Sequence, residues 1–147
     1  MGGDTAELTD LAPSEAARVL VRNADEAWLS ELQRSLDRQT ARAGFDRVLA
    51  VWNLSQTDTA LLFGVTRQAI AKWRARGVPA SRIEAVADLS AATDLLIRHL
   101  KRDRIPAVVR RGSAHLGGQS LLDLVNEGRT REVLLACRAM FRFGDAH

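Results

Sequence analysis

The stretch from Ser55 to Gly77, SQTDTALLFGVTRQAIAKWRARG, constrains the fold more than any other part of the chain. Ser55 and the acid three residues later, Asp58, form a capping box, which is a signature of a helix N-terminus. Gly64 then ends this helix, and Thr66 begins a second helix that runs to Gly77. The stretch therefore predicts two short helices joined by a tight turn.

The spacing inside this stretch is that of a helix-turn-helix. Ala60 follows Gln56 by four residues and is small where the second helix must cross the first, and Gly64 follows by another four. Gly64 can take the left-handed conformation that a turn of about three residues requires. The apolar residues predicted to bury the inner faces are Phe63, Val65, Ile70 and Trp73.

The outward face of the second helix is basic and has room for close approach. A helical wheel places Gln68, Ala71, Lys72 and Ala75 outward, with Arg67 and Arg74 on the flank. Gln can pair with adenine and Arg with guanine or phosphate, while a helix N-terminus suits backbone phosphates. The candidate DNA-binding residues are Gln56, Thr66, Arg67, Gln68, Lys72, Arg74 and Arg76. The alternative is a solvated basic face on an ordinary helical hairpin.

The length and composition of the chain are those of a globular domain. The chain has 147 residues, a net charge of +3 and a sequence pI near 9.9. A net charge this small does not itself imply a nucleic-acid partner, so the clustering of cations matters more. An acidic N-terminus without a signal-peptide pattern, a single cysteine and no long apolar run predict a cytoplasmic protein without membrane contact.

The whole chain is predicted to be all-α, because no segment alternates apolar and polar residues. Further helices are expected over about 14–40, from an interruption at Gly44 to the residues before Ser55, and from Ser81 to about Leu100, where Ser81 and Glu84 are predicted to form a capping box and Ala87 to lie on the buried side. Three more are expected: a short helix from Pro106 to near Gly112, the segment LLDLVNE that ends at Gly128, and the last helix from Thr130. The predicted divisions are an N-terminal helical extension (1–43), a helix-turn-helix domain (44–103) and a C-terminal helical domain (104–147).

Two helices are predicted to carry apolar stripes at helical spacing, and the stripe of the last helix is predicted to point inward. In the extension the stripe comprises Ala17, Leu20, Val21, Ala24, Trp28 and Leu32, where Trp28 is either core or an anchor of a dimer interface. In the last helix, which Thr130 is predicted to cap, the stripe comprises Val133, Leu134, Cys137, Met140 and Phe141.

LSQTDTALLFGVTRQAIAKWRARGVP resembles helix-turn-helix proteins of the Xre, repressor-like type. The tail adds a leucine-glycine turn at Leu116, the short segment LLDLV, a glycine stop at Gly128 and a last helix with Val133 inward. In this order it resembles the toxin-binding domain of the Xre/MbcA/ParS antitoxin family, and the resemblance covers about Leu54 to Phe143.

This resemblance implies an antitoxin that forms a homodimer, binds double-stranded DNA at its own operator and neutralises a RES-domain toxin that degrades NAD. It also implies that the C-terminal segment, here Met140 to His147, lies at or near the entrance of the toxin's active site. The residues expected to bind the partner are Leu116, Phe141, Arg142 and Phe143.

No group of residues indicates catalysis, a metal site or a cofactor. Cys137 lies on an apolar stripe without a paired base, and His99, His115 and His147 lack the spacing of metal ligands. Two other hypotheses stay open beside the antitoxin: a stand-alone transcriptional repressor without a toxin, and a helical adaptor whose helix-turn-helix no longer binds DNA.

Overall fold

The computed structural model describes the backbone of residues 12–23 and 26–145, and the side chains of residues 12–19 and 26–142. All regular structure in these residues is helical, which confirms the predicted all-α class. The chain forms two compact units, residues 1–36 and 37–147.

The helices are numbered from the first that the structure describes. Their bounds are α1 Pro13–Asn23, α2 Glu26–Trp52, α3 Gln56–Phe63, α4 Arg67–Arg76, α5 Ala80–His99, α6 Ile105–Arg110, α7 Leu121–Asn126 and α8 Thr130–Asp145. Two 3₁₀ turns, Arg102–Arg104 and Ala114–Leu116, lie on either side of α6. No helix in the described part of the chain is both long and apolar enough to span a membrane.

Residues 37–147 are built on two apolar clusters. One lies behind α3 and α4 and contains Phe45, Ile70 and Trp73. The other joins α2 and α5 to the C-terminal helices, and its buried members include Trp52, Leu96, Ile105, Val109, Leu124, Val133 and Cys137. Leu54 and Phe63 pack against both clusters, so α3, α4 and the C-terminal helices share a continuous apolar interior.

Within residues 37–147, packing crosses the predicted boundary at 103/104. Helix α5, before this boundary, packs extensively on α8, which follows it. The cause is that α5 buries Leu89, Ala92 and Leu96 in the cluster that the tail completes.

Gly44 does not interrupt a helix, as the sequence suggested, but lies inside the continuous helix α2. A Cβ at this position would lie 2.9 Å from Ser90 Oγ on α5, which is closer than real contacts allow. The glycine therefore allows the close approach of two helices, and Arg47, about one helical turn further along α2, forms an ion pair with Asp94 of α5.

The described members of the N-terminal stripe are not buried. Ala17, Trp28 and Leu32 are exposed, and Trp28 is 57% accessible, so it is not a core residue. The side chains of Leu20, Val21 and Ala24 lie outside the described residues. Within the unit 1–36, the exposed apolar residues of α2 are Trp28, Leu29, Leu32 and Leu36.

Two predicted helix caps were also wrong. Helix α5 begins at Ala80 after Pro79 and has no side-chain cap, so Ser81 and Glu84 do not form a capping box. Thr130 is the first residue of α8, and its hydroxyl donates to the carboxylate of Asp88 on α5. Ala87, expected on the buried side of α5, is exposed, because the buried face runs instead through Val86, Leu89 and Thr93.

Candidate nucleic-acid interface and C-terminal groove

The turn between α3 and α4 follows the local signals in the sequence. Ser55 Oγ accepts from the Asp58 amide at 3.0 Å, and Asp58 Oδ2 accepts from the Ser55 amide at 3.3 Å, which completes the capping box. Gly64 is left-handed, with φ 65° and ψ 35°, and Thr66 Oγ1 caps α4 by accepting from the Ala69 amide. These contacts fix the direction in which α4 leaves the turn.

An aromatic trio holds α4 from behind. Phe45 of α2, Phe63 of α3 and Trp73 of α4 meet edge to face, with ring centroids 5.7–6.0 Å apart. Edge-to-face packing is the geometry that aromatic pairs prefer. With Ile70 fully buried beside them, the inner face of α4 is fixed to two other helices.

The outer face of α4 is presented as the sequence predicted. Thr66, Arg67, Gln68, Lys72, Arg74 and Arg76 are all exposed, and Gln56 at the start of α3 is half-buried. Ala71 and Ala75 are exposed between the longer side chains, which leaves room for another molecule to approach the backbone of α4 closely. No Asp or Glu occurs between Asp58 and Glu84, so α4 itself contributes only cationic and neutral groups to this face.

One cation of this face has a partner that the sequence did not reveal. Arg74 Nε lies 2.9 Å from Asp46 Oδ1 of α2, and both side chains are partly exposed. Arg42, also on α2, donates to the carbonyl of Ala75 at 3.2 Å. Helix α2 therefore braces α4 near its C-terminal end, and Arg74 can reach a phosphate only by leaving Asp46.

A groove opens beside α8 in the C-terminal part of the chain, with a volume of about 490 Å³. We call it the C-terminal groove. It is lined by Val108 of α6, by Arg111, Gly112, Ser113, His115 and Leu116 of the following loop, by Leu121 of α7, and by Ala136, Ala139 and Met140 of α8. The loop wall is tight, because a Cβ on Gly112 would lie 2.4 Å from the carbonyl oxygen of Gly118.

The structure separates the residues predicted to bind a partner. Leu116 lines the C-terminal groove, whereas Phe141 is half-buried and stacks on His99 of α5, with ring centroids 4.3 Å apart. Arg142 is exposed, and the side chain of Phe143 lies outside the described residues. Met140, predicted to point inward, is 44% exposed at the groove instead.

Sequence reasoning missed most of the groove. Val108, Ala136 and Ala139 gave no signal of their own, because a groove depends on how three elements pack together. The one usable signal was the spacing of Ala136 and Met140, which places them one helical turn apart on α8.

A cluster of charged and polar side chains joins the end of α7 to the start of α8. Arg129 is paired with both Glu127 and Glu132, and Gln119 donates to Glu127. The hydrogen bond from Arg129 is the main reason that the pKa of Glu127 is lowered, and the two carboxylates raise the pKa of Arg129. One guanidinium thus bridges two carboxylates at the junction of the two helices.

Cys137 is fully buried, and desolvation raises the pKa of its thiol to about 12, so the reactive thiolate is not formed near neutral pH. Among the described residues, no group of His, Cys, Asp and Glu could hold a metal ion.

No model of a known protein family matches the chain, and no curated protein is similar to it. Among solved structures, it is similar to a chain of the crystal structure of the M. tuberculosis MbcT-MbcA toxin-antitoxin complex, with a TM-score of 0.55 and 21% sequence identity. The match covers 67% of this chain and 91% of that chain. At this identity the likeness shows a shared all-α fold.

Proposed function

We propose that this protein is the DNA-binding antitoxin of a toxin-antitoxin pair and represses its own operon. The observation that carries the proposal is the exposed outer face of α4, a helix that has cations and no Asp or Glu of its own and whose inner face packs on Phe45 and Phe63. Positive charge of this kind supplies the affinity for the phosphate backbone, and side chains such as Arg67 and Gln68 can read base edges. The likeness to a chain of a toxin-antitoxin complex supports the antitoxin role.

The partner that we propose is a RES-domain toxin that degrades NAD, encoded beside this protein. This rests on the resemblance of residues 54–143 to the Xre/MbcA/ParS family and on the shared fold. The protein would act without catalysis, in the cytoplasm, because both its operator and its toxin are found there. The second candidate is a stand-alone repressor, which the α4 face supports equally well and which needs no toxin.

Arg67→Ala and Gln68→Ala are each expected to cost about 1–3 kcal/mol of binding free energy at their cognate bases and to relax sequence preference. Both side chains are exposed on the first turn of α4, where a recognition helix meets base edges. Fluorescence anisotropy with the chain's own promoter and with scrambled DNA measures both effects. Arg98→Ala, an exposed arginine near the end of α5, is the matched control.

Asp46→Asn adds a test in the opposite direction. It releases Arg74 from its ion pair, so affinity for all DNA sequences should rise and the salt dependence should steepen by about one phosphate contact.

Promoter affinities equal to wild type for Gln68→Ala combined with Lys72→Ala would show that α4 is not the recognition helix.

We further propose that the protein forms a homodimer through the N-terminal half of α2. Leu29, Leu32 and Leu36 are spaced by three and four residues, as in the seam of two packed helices, and Trp28 lies next to them. All four are 42–57% exposed, an apolar patch typical of an association surface. A two-fold dimer would place two α4 helices on successive half-sites of an operator.

Leu32→Asp combined with Leu36→Asp is therefore expected to convert a dimer into a monomer, because each change places a charge in an apolar seam. Light scattering at micromolar concentration measures the mass, and operator affinity should fall with it. Leu61→Asp, at a leucine of α3 that is 73% exposed, is the control that should stay dimeric. A wild-type protein that is monomeric under the same conditions contradicts the dimer.

A further inference from the structure

The C-terminal groove combines an apolar lining with open edges. Leu121 is buried at 2% exposure, Val108 and Leu116 are partly buried, and Ala139 and Met140 are exposed. An apolar surface of this kind loses its contact with water only when something covers it. The small side chains of α8 on the groove side allow close approach, and Met140 is flexible enough to adapt to what it contacts.

The chain around this groove is strongly biased in charge. No Asp or Glu occurs between Asp103 and Asp123, or between Glu132 and Asp145, and these two segments supply every lining residue. Arg111 and His115 lie on the lining. Arg111 is exposed, so the loop side of the rim carries a positive charge.

We propose that the C-terminal groove binds a segment of the protein partner that carries apolar side chains flanked by Asp or Glu. The inference rests on the proposed function, because the partner is the toxin. Charge complementarity identifies the segment: carboxylates meet Arg111 and His115 at the rim while apolar side chains enter over Ala136 and Met140.

A photo-crosslinker tests the location and the chemistry together. Benzoylphenylalanine replaces Met140 in the full-length chain, which is co-expressed with the product of the neighbouring toxin reading frame. The control carries the same group at Leu135, which is 49% exposed on α8 but does not line the groove. We expect cross-links from position 140 and not from 135, to a toxin peptide containing apolar residues and at least one Asp or Glu.

Binding measurements supply the second arm. Ala139→Glu, which brings a carboxylate into the groove, and Arg111→Glu should each weaken toxin binding about tenfold or more, whereas Leu135→Glu should not. Arg111→Lys should retain most of the affinity. Thermal melts identify a variant that fails to fold, and in that case the cross-link decides the question.

The outcomes separate the two proposals. If wild-type protein binds and neutralises the toxin but positions 135 and 140 cross-link equally, or if the cross-linked peptide has no carboxylate, the groove assignment is wrong and the antitoxin role stands. If wild-type protein does not bind the toxin at all, the antitoxin proposal fails and the groove assignment fails with it.

Discussion

Phe45→Ala is expected to lower the free energy of unfolding by about 3–5 kcal/mol, the usual cost of removing a buried phenylalanine. Phe45 is 1% exposed and contacts both Phe63 and Trp73, so its removal leaves a cavity where α2, α3 and α4 meet. Since whole domains are stable by only about 5–15 kcal/mol, this is a large fraction of the total. Chemical denaturation followed by Trp fluorescence measures the loss.

The same variant should bind its promoter much more weakly even where it is still folded, because the cavity frees the inner face of α4. Phe45→Leu is the matched variant: it keeps most of the buried volume and should lose less stability and less DNA affinity. Leu61→Ala, at an exposed position on α3, should change stability by no more than about 0.5 kcal/mol. Full DNA affinity in a destabilised but folded Phe45→Ala would show that the aromatic trio does not position α4.

Local signals made α3, α4 and the tight turn between them predictable. A capping box needs only Ser55 and Asp58, three residues apart, and the turn needs only a residue that tolerates positive φ, which Gly64 supplies. The buried positions Ile70 and Trp73 followed from helical periodicity. Each of these interactions joins residues close in sequence, so the sequence alone carries enough information.

What escaped prediction depends on residues far apart in the chain. Gly44 was interpreted as a helix break, but its reason is Ser90 on a helix 46 positions away. The pairing of Arg74 with Asp46 and the stacking of Phe141 on His99 likewise join distant segments. Helical periodicity placed Trp28 on an apolar face. It could not tell whether that face packs within this chain or against a second copy.

The last six residues are expected to be needed for neutralisation and for nothing else. A chain that ends at Phe141 keeps the buried residues Val133, Leu134 and Cys137 and the stacking of Phe141 on His99, so α8 should remain folded. Removal of residues 142–147 should therefore leave promoter binding and dimerisation unchanged. It should also leave toxin binding largely intact, because the C-terminal groove stays complete.

Protection of cells should nevertheless be lost, because under the proposed mechanism this end lies at the entrance of the toxin's active site. Growth and NAD levels of cells that co-express the neighbouring toxin measure this protection. Arg142→Ala in the full-length chain then tests how much of the effect comes from the exposed cation at the start of the deleted segment. Ala139→Glu differs from the truncation, because it should lose protection through weaker toxin binding. If the truncated chain restores growth and NAD as well as wild type, the end does not block the active site, and neutralisation must come from the surface around residues 116–124 or from the groove beside it.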